Sequence, residues 1–101
     1  MAMSVLMIRA KVEPTMVAEV EKAATSMFAA IEAAQPDGVR YASCRLPDGV
    51  TFVALLALDK GIDNPLEAID EFRAFQASLK GWLAEPPSAE PLQIIGSYQL
   101  F

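Results

Sequence analysis

The side chains that could carry chemistry are few. The chain has no histidine and a single cysteine. Without an imidazole there is no side chain whose ordinary pKa lies near neutrality. A Ser-His-Asp relay, a Cys-His pair and a histidine-held haem or zinc are therefore excluded. Cys44 has no base to activate it and suits a small apolar position on a strand. What is left is a set of hydrogen-bond donors. Tyr41 and Tyr98 have hydroxyls able to donate to a phenolate. Arg9, Arg40 and Arg45 could stabilise an enolate or phenolate inside an apolar lumen. Asn64 brings a side-chain amide that can donate and accept, and Trp82 could wall an aromatic pocket.

Each of these residues also has a plainer role. Asn64 precedes Pro65 and stands three residues before Glu67, the pattern of a helix cap. Trp82 suits a core or interface anchor, and a buried tyrosine needs a partner in any case. The strand arginines could sit in water or in salt bridges. Arg73 lies three residues after Asp70, the spacing of a surface pair. The methionines, Met7, Met16 and Met27 among them, suit core filling. The acidic residues are scattered without metal-ligand spacing, and no phosphate-cradling glycine loop is present, so no metal site and no cofactor are expected.

The elements that must position these residues follow from periodicity. Ser4, Leu6, Ile8, Ala10 and Val12 alternate with Val5, Met7, Arg9 and Lys11, which predicts a strand apolar on one face and mixed on the other. From Glu13-Pro14-Thr15 the period changes. Met16, Val20, Ala24, Met27 and Ile31 recur at helical spacing, predicting a helix over about 14–34 that stops at Gln35-Pro36-Asp37-Gly38. Val39–Leu46 alternates again, Pro47-Asp48-Gly49 is a hairpin turn, and Thr51–Leu58 is a continuous apolar run suited to a central strand. Asn64-Pro65-Leu66-Glu67 opens a second helix, with Ile69, Phe72, Phe75, Gln76, Leu79, Trp82 and Leu83 on its inner side. Glu85-Pro86-Pro87 closes it. Pro86–Pro91 reads as a stiff loop and Leu92–Phe101 as a fourth strand. The order βαββαβ with right-handed crossovers predicts a ferredoxin-like α+β fold: one four-stranded antiparallel sheet with two helices on one face.

Composition bounds the partners. The 101 residues suit one domain over 1–101. Apolar residues are 53% and charged residues 21%, a balance that excludes disorder. The net charge of −5 argues against a phosphate backbone, so no nucleic acid is expected. RNA binding by the same element order fails for that reason, and because the strands lack exposed aromatics interleaved with basic residues. No apolar run is long enough to span a membrane, the N-terminus has no signal-peptide pattern, and a lone cysteine suits the cytoplasm.

Two helices cover one face of a sheet, yet the sequence is apolar on both. Phe52, Ala54, Leu56 and Leu58 stand opposite Val53, Leu55 and Ala57, and Val5 and Met7 opposite Leu6 and Ile8. An exposed patch of that size calls for a partner. The apolar Tyr98-Gln99-Leu100-Phe101 segment invites pairing as well. A two-fold homodimer with sheets face to face answers both.

Asn64-Pro65, Phe72-Arg73-Ala74-Phe75, Trp82, the proline-rich loop and Ile95-Gly96-Ser97-Tyr98, taken in this element order, resemble the antibiotic-biosynthesis-monooxygenase-like domains of the dimeric α/β-barrel superfamily. The resemblance extends over essentially the whole chain. It implies a barrel of two sheets with a small pocket between sheet and helices in each protomer. Tyr41, Asn64 and Trp82 become the catalytic candidates, and Arg40, Phe52, Phe72, Phe75 and Tyr98 the candidates for substrate contact. The activity implied is a cofactor-independent oxygenase acting on a polyketide-type phenol or hydroquinone. Haem-handling relatives use a histidine that this chain lacks. A non-catalytic small-molecule carrier, a purely dimerising module, and an isomerase or lyase are the other readings.

Overall fold

The computed structural model describes residues 3–101. In chain order it holds β1 (Met3–Lys11), a 3-10 turn (Pro14–Met16), α1 (Val17–Ala34), β2 (Val39–Arg45), β3 (Thr51–Asp59), a second 3-10 turn (Pro65–Ala68), α2 (Asp70–Lys80) and β4 (Ser88–Leu92). The strands form one antiparallel sheet in the order β2-β3-β1-β4. This is the expected ferredoxin-like topology.

Local chemistry explains the boundaries. α1 ends where Gln35 turns left-handed at φ 48° and its N–H donates to Ile31 O at 2.9 Å. Gly38 then enters β2 at φ 80°, at a place where a Cβ would collide with Ile62. In the β2–β3 hairpin the Asp48 carboxylate accepts from the N–H groups of Val50 (3.0 Å) and Thr51 (2.9 Å) and from the Thr51 hydroxyl (2.6 Å). This local ring holds the register Arg45↔Phe52 and satisfies Thr51, the buried polar residue of the described chain.

Two elements depart from expectation. The second helix is not continuous: Ile69 takes an extended conformation (φ −94°, ψ 120°) between the 3-10 turn and α2. In an unbroken α-helix Leu66 would point about 120° away from Phe72, at 100° per residue. The break lets Leu66 join Phe72 and Phe75 in one core. The fourth strand is Ser88–Leu92, not Leu92–Phe101, and it includes residues expected to be loop. After α2 the chain docks on the end of β1, with Glu13 N–H donating to Trp82 O (2.9 Å), Ala84 N–H to Lys11 O (2.8 Å), and Val12 bridging Leu83. From that anchor β4 runs back along β1 from Arg9↔Ser88 to Val5↔Leu92 and soon passes the described end of β1. Pro91 is tolerated because β4 is an edge strand.

The core lies between the sheet and the helices. Val12, Val20, Met27, Leu66, Phe72 and Phe75 form its buried centre, and Val39, Tyr41, Phe52, Leu56, Trp82 and Leu83 pack against it. Register partners share a face, so Ile8, Ala10, Tyr41, Ser43, Phe52, Ala54 and Leu56 look toward the helices. Met7, Arg9, Arg40, Ala42, Cys44, Val53 and Leu55 look the other way. On that second face Val5 and Ala57 are buried, Met7, Val53 and Leu55 are half-buried, and Ala42 and Cys44 are exposed. No described helix is long and apolar enough to cross a membrane.

Candidate functional site

The helix-facing side of β1, β2 and β3 does not pack fully against α2. Between them lies a hollow of about 530 Å³, a size that suits a small organic ligand. Its floor is the sheet, with Ile8, Ala54 and Leu56, and its wall is α2, with Phe72, Phe75 and Leu79. Polar groups are set around this apolar interior: Tyr41 and Ser43 on β2, Asn64 and Glu67 at the second 3-10 turn, and Arg73, Gln76 and Lys80 along α2.

Tyr41 is the most constrained of them. Its ring stacks on Phe28 (centroids 5.2 Å apart, planes at 20°) and meets Phe72 edge-on at 5.9 Å. Its hydroxyl has no hydrogen-bond partner among the described residues, and no buried side-chain oxygen or nitrogen is left unsatisfied. A ring clamped on two sides thus presents an unclaimed phenol at the hollow. Burial raises the Tyr41 pKa above its ordinary 10.0, because the phenolate would lose solvation. Tyr41 is therefore a neutral donor at physiological pH, not a base.

The other polar groups are partly committed. Asn64 Oδ1 accepts the Leu66 N–H at 3.0 Å, so the capping role is real although the residue also lines the hollow. Arg73 pairs with Asp70, as its spacing suggested, and its Nη1 donates to Glu67 O at 2.8 Å. Phe52, Phe72 and Phe75 all line the hollow with Tyr41 and Asn64.

Three candidate residues lie elsewhere. Arg40 follows strand alternation onto the opposite face and is exposed. Trp82 is half-buried against the core beyond the end of α2, its carbonyl engaged by Glu13, and does not line the hollow. Tyr98 lies past β4 and is 86% exposed. Of the other strand arginines, Arg9 is exposed and Arg45 bridges Glu21 at 2.9 Å. Ser43, Glu67, Gln76 and Lys80 were not singled out from sequence as site residues. The signal was present: Gln76 and Lys80 stand at i,i+4 on the helix that carries Phe72 and Phe75, and Ser43 is two residues from Tyr41 on one strand. A second, more open groove runs between α1 and β2, bounded by Phe28, Thr25, Cys44 and the Glu21–Arg45 pair. Among the described residues no three Cys, Asp or Glu side chains gather in a way that could hold a metal ion.

Element order, strand order and a ligand-sized hollow between the layers define a ferredoxin-like α+β fold with its candidate site under the second helix. That fold is shared with solved oxygenase-like structures. A "putative antibiotic biosynthesis monooxygenase" from Nitrosomonas europaea superposes with a TM-score of 0.76 at 17% identity, over 92% of this chain and 90% of that one. A protein of the same description from Caulobacter crescentus gives 0.74 at 23% identity, over 94% and 92%. SnoaB, a cofactor-independent oxygenase from Streptomyces nogalater solved as an asparagine-to-alanine mutant, gives 0.71 at 16%, over 98% and 99%. The sequence matches no protein-family profile and no curated protein. The shared property is therefore the fold, which is that of the antibiotic-biosynthesis-monooxygenase-like structures.

Proposed function

We propose that the chain is a cofactor-independent oxygenase for an aromatic phenol or hydroquinone held in the hollow between sheet and α2. The observation that carries this reading is Tyr41, whose ring is held by Phe28 and Phe72, which lines an apolar cavity and whose hydroxyl no described protein group claims. A ring-bearing ligand would lie against Phe72, Phe75 and Leu56, and Tyr41 would donate to its oxyanion. That bond strengthens as the ligand ionises, which is the condition for catalysis rather than uniform binding.

The chemistry resides in the ligand. An anthrone-type ring CH₂ loses a proton to water at the open mouth of the hollow, from which the peroxide later regains one, and the delocalised phenolate so formed passes one electron to O₂. The resulting radical and superoxide combine in a carbon–oxygen bond. The peroxide then loses water to leave a carbonyl. In sum CH₂ and O₂ become C=O and H₂O, with the carbon oxidised and dioxygen reduced. The protein's part is to bind, exclude water and stabilise the anion. No histidine is needed for this.

The working unit we infer is a homodimer. The face away from the helices has Met7, Val53 and Leu55 incompletely covered, and Ile95 and Leu100 beyond β4 are 93% and 63% exposed. Burying about 500 Å² of such surface contributes on the order of 12 kcal/mol before the cost of association. Within one copy Val5 and Ala57 on this face are already buried, and a second copy would cover the half-buried Met7, Val53 and Leu55 beside them. A reducing, cytoplasmic setting is consistent with the exposed thiol of Cys44.

Oxygen uptake with anthrone and with a quinol tests the activity. Uptake above the buffer rate that falls in Tyr41→Phe supports it, and uptake equal to buffer removes it. The carboxylate that lines the hollow, Glu67, is exposed at its rim, which favours one second reading, a non-catalytic carrier of the same ligands. It predicts saturable binding with thermal stabilisation and no oxygen consumption.

A further inference from the structure

Two cations reach the hollow, and only one is occupied. Arg73 is held by Asp70 and by the Glu67 carbonyl. Lys80 makes no ion pair among the described residues. It stands one helical turn from Gln76, and both line the hollow, Gln76 beside Phe72 and Phe75 and Lys80 on the flank of α2. At i,i+4 their Cβ atoms are roughly 6 Å apart, so the ammonium and the amide can converge on one group. The rim is therefore polarised. Its 3-10 end carries Asn64 and Glu67, with the Arg73–Asp70 pair close by, and its α2 C-terminal end carries an unengaged ammonium and amide.

We propose that Gln76 and Lys80 read an anionic substituent, so that the chain selects aromatic ligands bearing a carboxylate over neutral ligands of the same shape. The proposal rests on the hollow being a ligand site, as argued above, and adds which ligands enter it. An opposing effect must be weighed. Carbonyls at the end of α2 present about half a negative charge to an incoming anion. Lys80 presents a full positive charge on a side chain that can extend beyond them, so attraction wins. The site is at a wet rim, which limits the preference to about fivefold, the upper range for exposed charge pairs. Gln76 adds orientation, because its amide N–H₂ donates to a second carboxylate oxygen.

Fluorescence titration with anthracene-2-carboxylate and its neutral isostere anthracene-2-methanol tests this on the intact chain. Wild type should bind the carboxylate about fivefold tighter, and the preference should shrink as salt rises. Lys80→Met should remove the preference and leave binding of the alcohol as in wild type, which also shows that the hollow is intact. Lys22→Met, an equal change of net charge on exposed α1, should keep it. Gln76→Leu should weaken the carboxylate alone. If the alcohol binds wild type but no preference exists, or Lys80→Met retains the preference or loses both probes, the anion reading is overturned while the ligand site stands. If neither probe binds wild type, the ligand site itself is overturned and the selectivity with it.

Discussion

Replacing Tyr41 by phenylalanine separates the hydroxyl's function from the ring's packing. The ring is stacked on Phe28 and edge-on to Phe72, and phenylalanine keeps both contacts. The hydroxyl has no protein partner to leave behind, so folding stability at pH 7 should change little, with Tm within about 4 °C of wild type. Ligand stabilisation should change a great deal. A hydrogen bond to a charged oxygen is worth about 1.5–3 kcal/mol, so phenolate turnover, or phenolate affinity if the chain is a carrier, should fall roughly ten- to hundredfold.

The pH dependence supplies a second readout. Burial raises the native Tyr41 pKa above 10.0. The unfolded chain therefore ionises first, and the folded state holds the proton longer. Tyr41's contribution to stability is whole below about pH 10 and is lost as pH climbs through the native value. Tyr41→Phe lacks that titration, so its urea midpoint should fall less between about pH 9.5 and about pH 11.5. Circular dichroism melts and urea titrations, with parallel oxygen-uptake or fluorescence titrations, measure all three effects. A large loss of Tm at pH 7 would show that the hydroxyl is structural. Unchanged turnover and unchanged phenolate affinity would refute its role at the ligand.

Leu66 is 0% exposed at the point where the second helix breaks, and Leu66→Ala should cost about 2–5 kcal/mol in urea unfolding. Asp48→Ala should lower Tm at pH 7 by freeing the hairpin donors. The Thr51 hydroxyl, then the Val50 and Thr51 N–H groups, hold the Asp48 pKa below its ordinary 3.8. Wild type should thus lose this stabilisation only as pH falls below that value and through the lower native pKa, and Asp48→Ala should show no such acid step. Leu55→Arg places a charge on the face away from the helices; if the proposed dimer forms through that face, sedimentation equilibrium should show wild type as pairs and the variant as single chains. Wild type running as a stable single chain at micromolar concentration would remove the dimer itself.

Sequence alone determined the parts of this protein that depend on local stereochemistry. Alternation fixes which side chains share a face of β1, β2 and β3. The 3.6-residue period puts Val20 and Met27 on one side of α1, and Asn64-Pro65 marks the start of a helical turn. These signals survive without knowledge of neighbours because they arise within a few residues. Tyr41, Asn64, Phe52, Phe72 and Phe75 became candidates through the resemblance, together with Trp82, Arg40 and Tyr98, which do not line the hollow. What the tertiary structure decided depended on distant partners. β4 begins at Ser88 because Trp82–Ala84 dock on the end of β1, a contact some seventy residues away in the chain. The turn at Ile69 exists because Leu66 and Phe72 must reach one core. Trp82 and Tyr98 are aromatic, but the docking of the α2 end and the early end of β4 carry them away from the hollow. Gln76 stands on the inner side of its helix by periodicity and Lys80 reads as an ordinary polar residue, and only the laying of α2 across the sheet turns the two into the rim of a hollow.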